Sequence, residues 1–246
     1  MSGHSHWAGI KHHKGINDAK RAAMFTKYGR NIIVAASRGG GNPDTNFALR
    51  LAIDQARTVN MPKDNIERAI RRGTGELKEG AHIEECMYEA YLPVRQAGGP
   101  GNVALLIETA TDNKNRTVSE IKSILTKGGG KFVPTGSVHF MFRRVGLVTF
   151  DLAQYPKEGL ENETIESGAD DFFIHGDAFV VVTPIERLQS VKQFFESKSL
   201  TPDDAKLGYL PTQTVSLMPQ ESGALEKLLE TLDGHPDVQR VWDNRQ

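Results

Sequence analysis

The residues of this chain whose chemistry is plainest are cations crowded at one end. Positions 1–75 hold 13 of the 30 Lys/Arg and only 5 of the 31 Asp/Glu, a net of +8. The other 171 residues carry 17 bases and 26 acids, a net of −9, so the whole-chain charge of −1 conceals a basic module fused to an acidic body. Bases at that density suit a polyanionic partner, most simply nucleic acid, and exceed what a solvated helix face requires. The expected contacts are Lys11, Lys14, Lys20, Arg21, Lys27 and Arg30, supported by Arg68, Arg71 and Arg72. Their chemistry would be phosphate neutralisation, which positions a nucleic acid without reading its sequence.

A second constellation is Thr111-Asp112-Asn113-Lys114-Asn115-Arg116-Thr117, where a strand pattern gives way to a helical one. Asp112 or Asn113 suits the cap of that helix. The helix N-terminus with Lys114 and Arg116 could also meet a phosphate or a partner's carboxylate. Asp112, Asn113, Lys114 and Arg116 are therefore a candidate partner contact.

Other chemistries find less support. The glycine runs at 39–41 and 128–130 are not followed by Lys-Ser or Lys-Thr, and both fall where a helix should stop. There is no nucleophile elbow, no H-E-x-x-H and no dinucleotide fingerprint. The single cysteine, Cys86, excludes an internal disulfide and a multi-cysteine zinc site, and its neighbours Glu84 and Glu85 disfavour a thiolate. His4, His6, His12 and His13 lack partners at a metal-binding spacing, although Ser2-Gly3-His4, freed of Met1, has the donors of a square-planar copper site. The expectation is a non-enzyme with no cofactor, no metal and no small-molecule substrate. An enzyme acting on nucleic acid is the third class, after two kinds of nucleic-acid binder.

The elements that must carry these residues follow from periodicity. In a chain of 246 residues with 38% apolar and 25% charged content, two or three domains are expected. The longest apolar runs are strand-sized, and the N-terminal bases precede no apolar stretch. A cytoplasmic protein without a membrane partner is expected. Residues 1–16 read as a polar arm. Three helices follow, from about 17 to 38, 45 to 59 and 62 to 73, each with an apolar inner stripe and bases outside. Residues 74–101 read as an acidic linker and an irregular, glycine-rich entry to the body.

Beyond it strands and helices alternate. Strands are expected at 103–110, 138–142, 147–152, 171–175, 178–182 and 238–242, with an extended stretch at 206–217. Helices are expected at about 114–127, 158–168, 184–198 and 220–232. That order suits antiparallel sheets with helices on one face, an α+β class. The units around 103–134 and 210–243 are each half of such a fold, so they could complete one another around an insertion. The domains are thus expected at 1–75, at 80–136 joined to 208–246, and at 137–207.

Several motifs together resemble the YebC/PmpR family, which includes mitochondrial translational activators. Gly3-His4-Ser5-His6-Trp7 and Ile10-Lys11-His12-His13-Lys14 are similar to its opening motif, and Asp18-Ala19-Lys20-Arg21 and Phe25-Thr26-Lys27 continue it. The stretch from Asn60 to Ile70, Gly73-Thr74-Gly75, Thr111 to Thr117 and Thr135-Gly136-Ser137-Val138 also match. His6 and His13 depart from the family's usual Lys or Arg, and Leu92 to Gly99 reads as an insertion. The resemblance implies an N-terminal helical domain and two α/β domains. It also implies a cytoplasmic regulator of gene expression. Either a DNA-binding transcriptional regulator or a ribosome-associated translation factor fits, the latter touching ribosomal RNA and ribosomal proteins.

Overall fold

The structure is a computed structural model. It describes residues 18–77, 82–96 and 99–246, with the backbone alone at 18–20, 95–96 and 99–100. Three helices come first: α1 (Asp18–Gly39), α2 (Phe47–Thr58) and α3 (Lys63–Gly73). Their inner stripes meet in one core of Ile32, Ile33, Ala36, Leu49, Ile53, Ile66 and Ala69. Asn46 fastens the α1–α2 corner. Its side-chain oxygen accepts from Leu49 N at 3.1 Å, and its amide donates to the Ala35 and Gly40 carbonyls at 2.9 and 2.8 Å. Gly73 lets α3 cross α1 closely, because a Cβ there would stand 2.5 Å from the Ile33 carbonyl oxygen.

Two four-stranded antiparallel sheets make the body. The first, in the order β3-β1-β2-β8, takes β1 (Glu84–Gln96), β2 (Gly99–Thr111), β3 (Lys131–Val133) and β8 (Val238–Asp243). The second, in the order β5-β6-β4-β7, takes β4 (Phe142–Asp151), β5 (Asp171–His175), β6 (Ala178–Thr183) and β7 (Asp204–Pro211). Helices α4 (Lys114–Lys127) and α7 (Pro219–Asp233) cover one face of the first sheet through Ile121, Leu125, Leu225 and Leu229. Helices α5 (Lys157–Ser167) and α6 (Leu188–Ser197) cover the second through Leu160, Val191 and Phe195. The remaining faces pack on each other through Leu106, Val145, Leu147, Val180, Tyr209 and Trp242. Alternation along each strand makes this possible: Leu147 points to the other sheet and Val148 to the helices. The Trp242 ring lies where a Cβ on Gly208 would be, which lets the sheets approach. The fold is α+β, a helical region followed by two α/β domains with antiparallel sheets.

Two expectations about elements need correction. Residues 84–96, read as linker and irregular entry, are a 13-residue strand in full register with β2, from Glu84↔Thr111 to Gln96↔Gly99. Leu92 to Gln96, read as part of an insertion, are that strand's last residues. The acidic composition masked a period of two. Tyr88, Ala90, Leu92 and Val94 face the helices, while Met87 and Tyr91 face the second sheet. Glu89, among them, is only 1% exposed. Residues 138–142, read as a strand, form a loop and the 3-10 turn His139–Met141 instead, and β4 begins only at Phe142.

Candidate nucleic-acid interface

The expected cations separate into two groups once the helices are placed. On α3, Arg68 and Arg71 are exposed, and Lys63 is exposed in an i,i+4 pair with Glu67 at 3.5 Å. Arg71 meets Glu76 at 3.6 Å, with more than half of each side chain in solvent, a pair of small energetic weight. Arg72, next to it, is half-buried, and Arg21 on α1 is exposed. Lys11 and Lys14 lie outside the described residues, as does the side chain of Lys20. The copper motif Ser2-Gly3-His4 falls outside them too.

Lys27 and Arg30 belong to the second group, because α1 turns them toward the body. Arg30 donates to the Pro236 carbonyl at 2.6 Å, to the Ala110 carbonyl at 3.3 Å and to the Asp237 carboxylate. Its side chain is 15% exposed and that of Asp237 only 1%. Lys27 faces Asp233 at 3.8 Å, and burial lowers its pKa against the pull of that acid. A phosphate reaching Arg30 would have to displace a buried carboxylate. Farther along α1, exposed Arg38 pairs with Glu85 at 2.6 Å.

The Thr111–Thr117 constellation meets the same aspartate. Asn113 caps α4, accepting from Arg116 N at 3.0 Å. Arg116 donates to Asp112 and to Asp237, each at 2.8 Å. Thr117 and Thr111 bond Asp237 at 2.6 and 3.1 Å. Lys114 forms an ion pair with Glu84. Burial alone would raise the Asp237 pKa, but the hydrogen bonds from Thr117 and Arg116 and the charge of Arg30 hold it well below the usual carboxylate range. Asp112, Asn113, Lys114 and Arg116 therefore spend much of their polar capacity within the molecule.

A second polar seam ties α2 to the second sheet. Gln55, 8% exposed, donates to Asp204 at 2.9 Å and accepts from Arg240 at 3.0 Å. Asp204 pairs with Lys206 at 2.6 Å. Burial opposes its charge, but Lys206 and Arg240 outweigh burial and lower its pKa. Asp54 of α2 receives Lys192 of α6 at 2.8 Å.

Among the described residues one cluster has metal-ligand types close together: Glu120, His235 and Asp237. Its donor atoms are committed. His235 Nδ1 accepts from Asp237 N at 3.1 Å, so Nε2 carries the proton and donates to Glu120 at 2.8 Å. Asp237 is already matched by two guanidinium groups, and a cation would have to expel them.

The residues that fasten the helical region, Asp237 and Gln55, gave no signal in the sequence. Asp237 sits in a polar turn, Gly234-His235-Pro236-Asp237, that reads as an ordinary surface loop. Only the return of the chain beside α1 gives it a role.

Residues 5–76 match the family described as "TACO1/YebC protein N-terminal domain", and residues 83–245 match "TACO1/YebC second and third domain". A relative from Natranaerobius thermophilus named "Probable transcriptional regulatory protein" is 42% identical over 249 residues, covering 99% of this chain and 96% of that one. A Leptospira biflexa protein of the same name is 43% identical over 245 residues, with 99% and 96% coverage. The crystal structure of a conserved hypothetical protein from Aquifex aeolicus superposes with a TM-score of 0.88 at 39% identity, covering 98% of this chain and 97% of that one. The chain belongs to the TACO1/YebC family.

Proposed function

We propose that this protein is a non-enzymatic, nucleic-acid-binding regulator of gene expression, acting as a DNA-binding transcriptional regulator in the cytoplasm. The observation that carries the reading is the exposed cationic face of α3, with Arg68, Arg71 and Lys63 in solvent on a module of net charge +8. The names of the relatives agree with a regulatory role. Arg21, exposed on α1, and Lys11, Lys14 and Lys20 add to the positive charge of the same module. Lys27 and Arg30 act differently. They hold the helical region on the body, so that a nucleic acid bound on one side is presented together with the acidic domains on the other.

The connection from α2 to α3 spans Val59, Asn60, Met61 and Pro62, with Asn60 at φ 57°. Two helices joined by so short a turn can place the second in a major groove, where arginine pairs with guanine. A ribosome-associated reading is favoured by a separate feature. The cations are spread over several elements rather than gathered on one groove-reading face, and that suits a folded RNA surface. Basic ribosomal proteins would then meet the acidic body.

Sedimentation of a lysate at moderate salt, with and without nuclease, tests the choice, alongside DNA binding against excess non-specific competitor. A competitor-resistant DNA complex and a free pool support the transcriptional reading. Co-sedimentation with ribosomes and no surviving DNA complex reject it for the ribosomal one.

A further inference from the structure

The loop between the two α/β domains is built more firmly than a connector requires. Glu89, 1% exposed in the middle of β1, accepts from the backbone N–H of Gly136 at 2.7 Å, Val138 at 2.6 Å and His139 at 3.2 Å. The Tyr91 hydroxyl donates to the Ser137 carbonyl at 2.9 Å. On the far side Thr212 donates twice to the Met141 carbonyl, from its N–H at 2.8 Å and its hydroxyl at 3.0 Å. The His139 ring sits edge-on to Tyr209, with centroids 5.4 Å apart. The loop backbone is thus held at several points from Gly136 to Met141. Phe140 projects with 73% of its surface in solvent.

Three and four residues on, Arg143 and Arg144 are exposed, and Arg144 also lies within the field of the buried Glu108 carboxylate. They lie on a stretch of β4 with one neighbour only, since β7 pairs along Phe142–Val145 whereas β6 begins at Gly146. An exposed aromatic ring with exposed cations a few residues away along the chain is an arrangement that can hold an unpaired base and its phosphates. A protein partner would need an apolar patch around the ring. Here the exposed residues close by in sequence, Pro134, Thr135, Gly136 and His139, are small or polar rather than an apolar cluster. Holding the loop in advance reduces the ordering cost of binding.

We propose that this loop is a second nucleic-acid contact, a stacking platform that takes an unpaired base on Phe140 and the adjoining phosphates on Arg143 and Arg144. It rests on the nucleic-acid reading above and adds a preference for single strands, whose bases are free to stack.

The test measures binding of the full chain to a fluorescein-labelled oligouridylate and to a duplex of the same length. Phe140→Ala should weaken oligouridylate binding about tenfold and leave the duplex unchanged. Phe140→Trp should bind the single strand at least as well as the wild type. Arg143→Ala with Arg144→Ala should flatten the salt dependence on the single strand. With its ring in solvent, Phe140→Ala leaves the core intact, so a loss is not a folding effect. Unchanged oligouridylate binding by Phe140→Ala overturns the platform, and so does an equal loss on both probes. A protein that co-purifies with the wild type and is lost from Phe140→Ala, with oligouridylate binding intact, reassigns the surface and overturns it too. A wild type that binds the duplex alone removes the platform only, whereas one that binds neither probe removes the nucleic-acid reading with it.

Discussion

Arg30 of α1 and Asp237, just ahead of β8, form a buried ion pair across the boundary between the helical region and the body. The two lie 207 residues apart in sequence. Arg116 reaches the same carboxylate from α4, so one aspartate joins the first helix, the fourth helix and the approach to the last strand. Removing the carboxylate leaves Arg30 largely buried without a counter-charge. Asp237→Asn is expected to cost about 3 kcal/mol of unfolding free energy, read from the denaturation midpoint in urea. Arg30→Ala should move the midpoint in the same direction.

The same carboxylate gives stability a pH dependence of known sign. Its folded pKa lies below the unfolded value of about 3.9. The contribution is therefore fully present above that unfolded value and is lost as pH falls toward the folded one. Wild-type and Asp237→Asn proteins should differ most above pH 5. The difference in melting temperature should shrink progressively below pH 4, while a gap that stays constant from pH 7 to pH 3 would show that Asp237 is not the group titrating.

Glu89 holds three amides of the loop before β4. Glu89→Ala would leave them without their acceptor, at about 3 kcal/mol. Hydrogen exchange should show it locally, with the Gly136, Val138 and His139 amides exchanging faster while the centre of β2 stays protected.

Asn46 serves two helices at once, capping α2 and tying down the end of α1. Asn46→Ala should cost about 2 kcal/mol, and Asn46→Asp should cost at least as much, because it keeps the cap acceptor but turns a carboxylate oxygen toward the Ala35 and Gly40 carbonyls in a buried site. Thermal unfolding should place both variants below the wild type, with Asn46→Asp no higher than Asn46→Ala.

Much of the fold was legible because its signals are local. The apolar stripes of α1, α2 and α3 and the caps at Pro62 and Asn113 need only a few neighbouring residues. The first sheet's β1 was missed because Glu84, Glu85 and Glu89 made a strand look like a linker, and nothing local says that Glu89 is buried to hold a loop some 50 residues away. Among the cations, charge count singled out Arg30 and Arg68 alike. Their separation depends on where Asp237 returns, a long-range fact that composition does not contain. Phe140 was hidden in a run, Val138 to Phe142, that reads as a buried strand.

The central claim is that the exposed cations of α3 contact nucleic acid while Arg30 holds the helical region in place. The salt dependence of duplex affinity tests it most directly, measured for the full-length wild type, for Arg68→Ala with Arg71→Ala, and for Arg30→Ala. Each lost phosphate contact should reduce the slope of log affinity against log salt by about 1. The account predicts a slope lower by about 2 for the α3 double variant and an unchanged slope for Arg30→Ala, whose stability falls instead. A wild-type slope in the α3 variant, or a slope reduced by Arg30→Ala in a protein of undiminished stability, would contradict it.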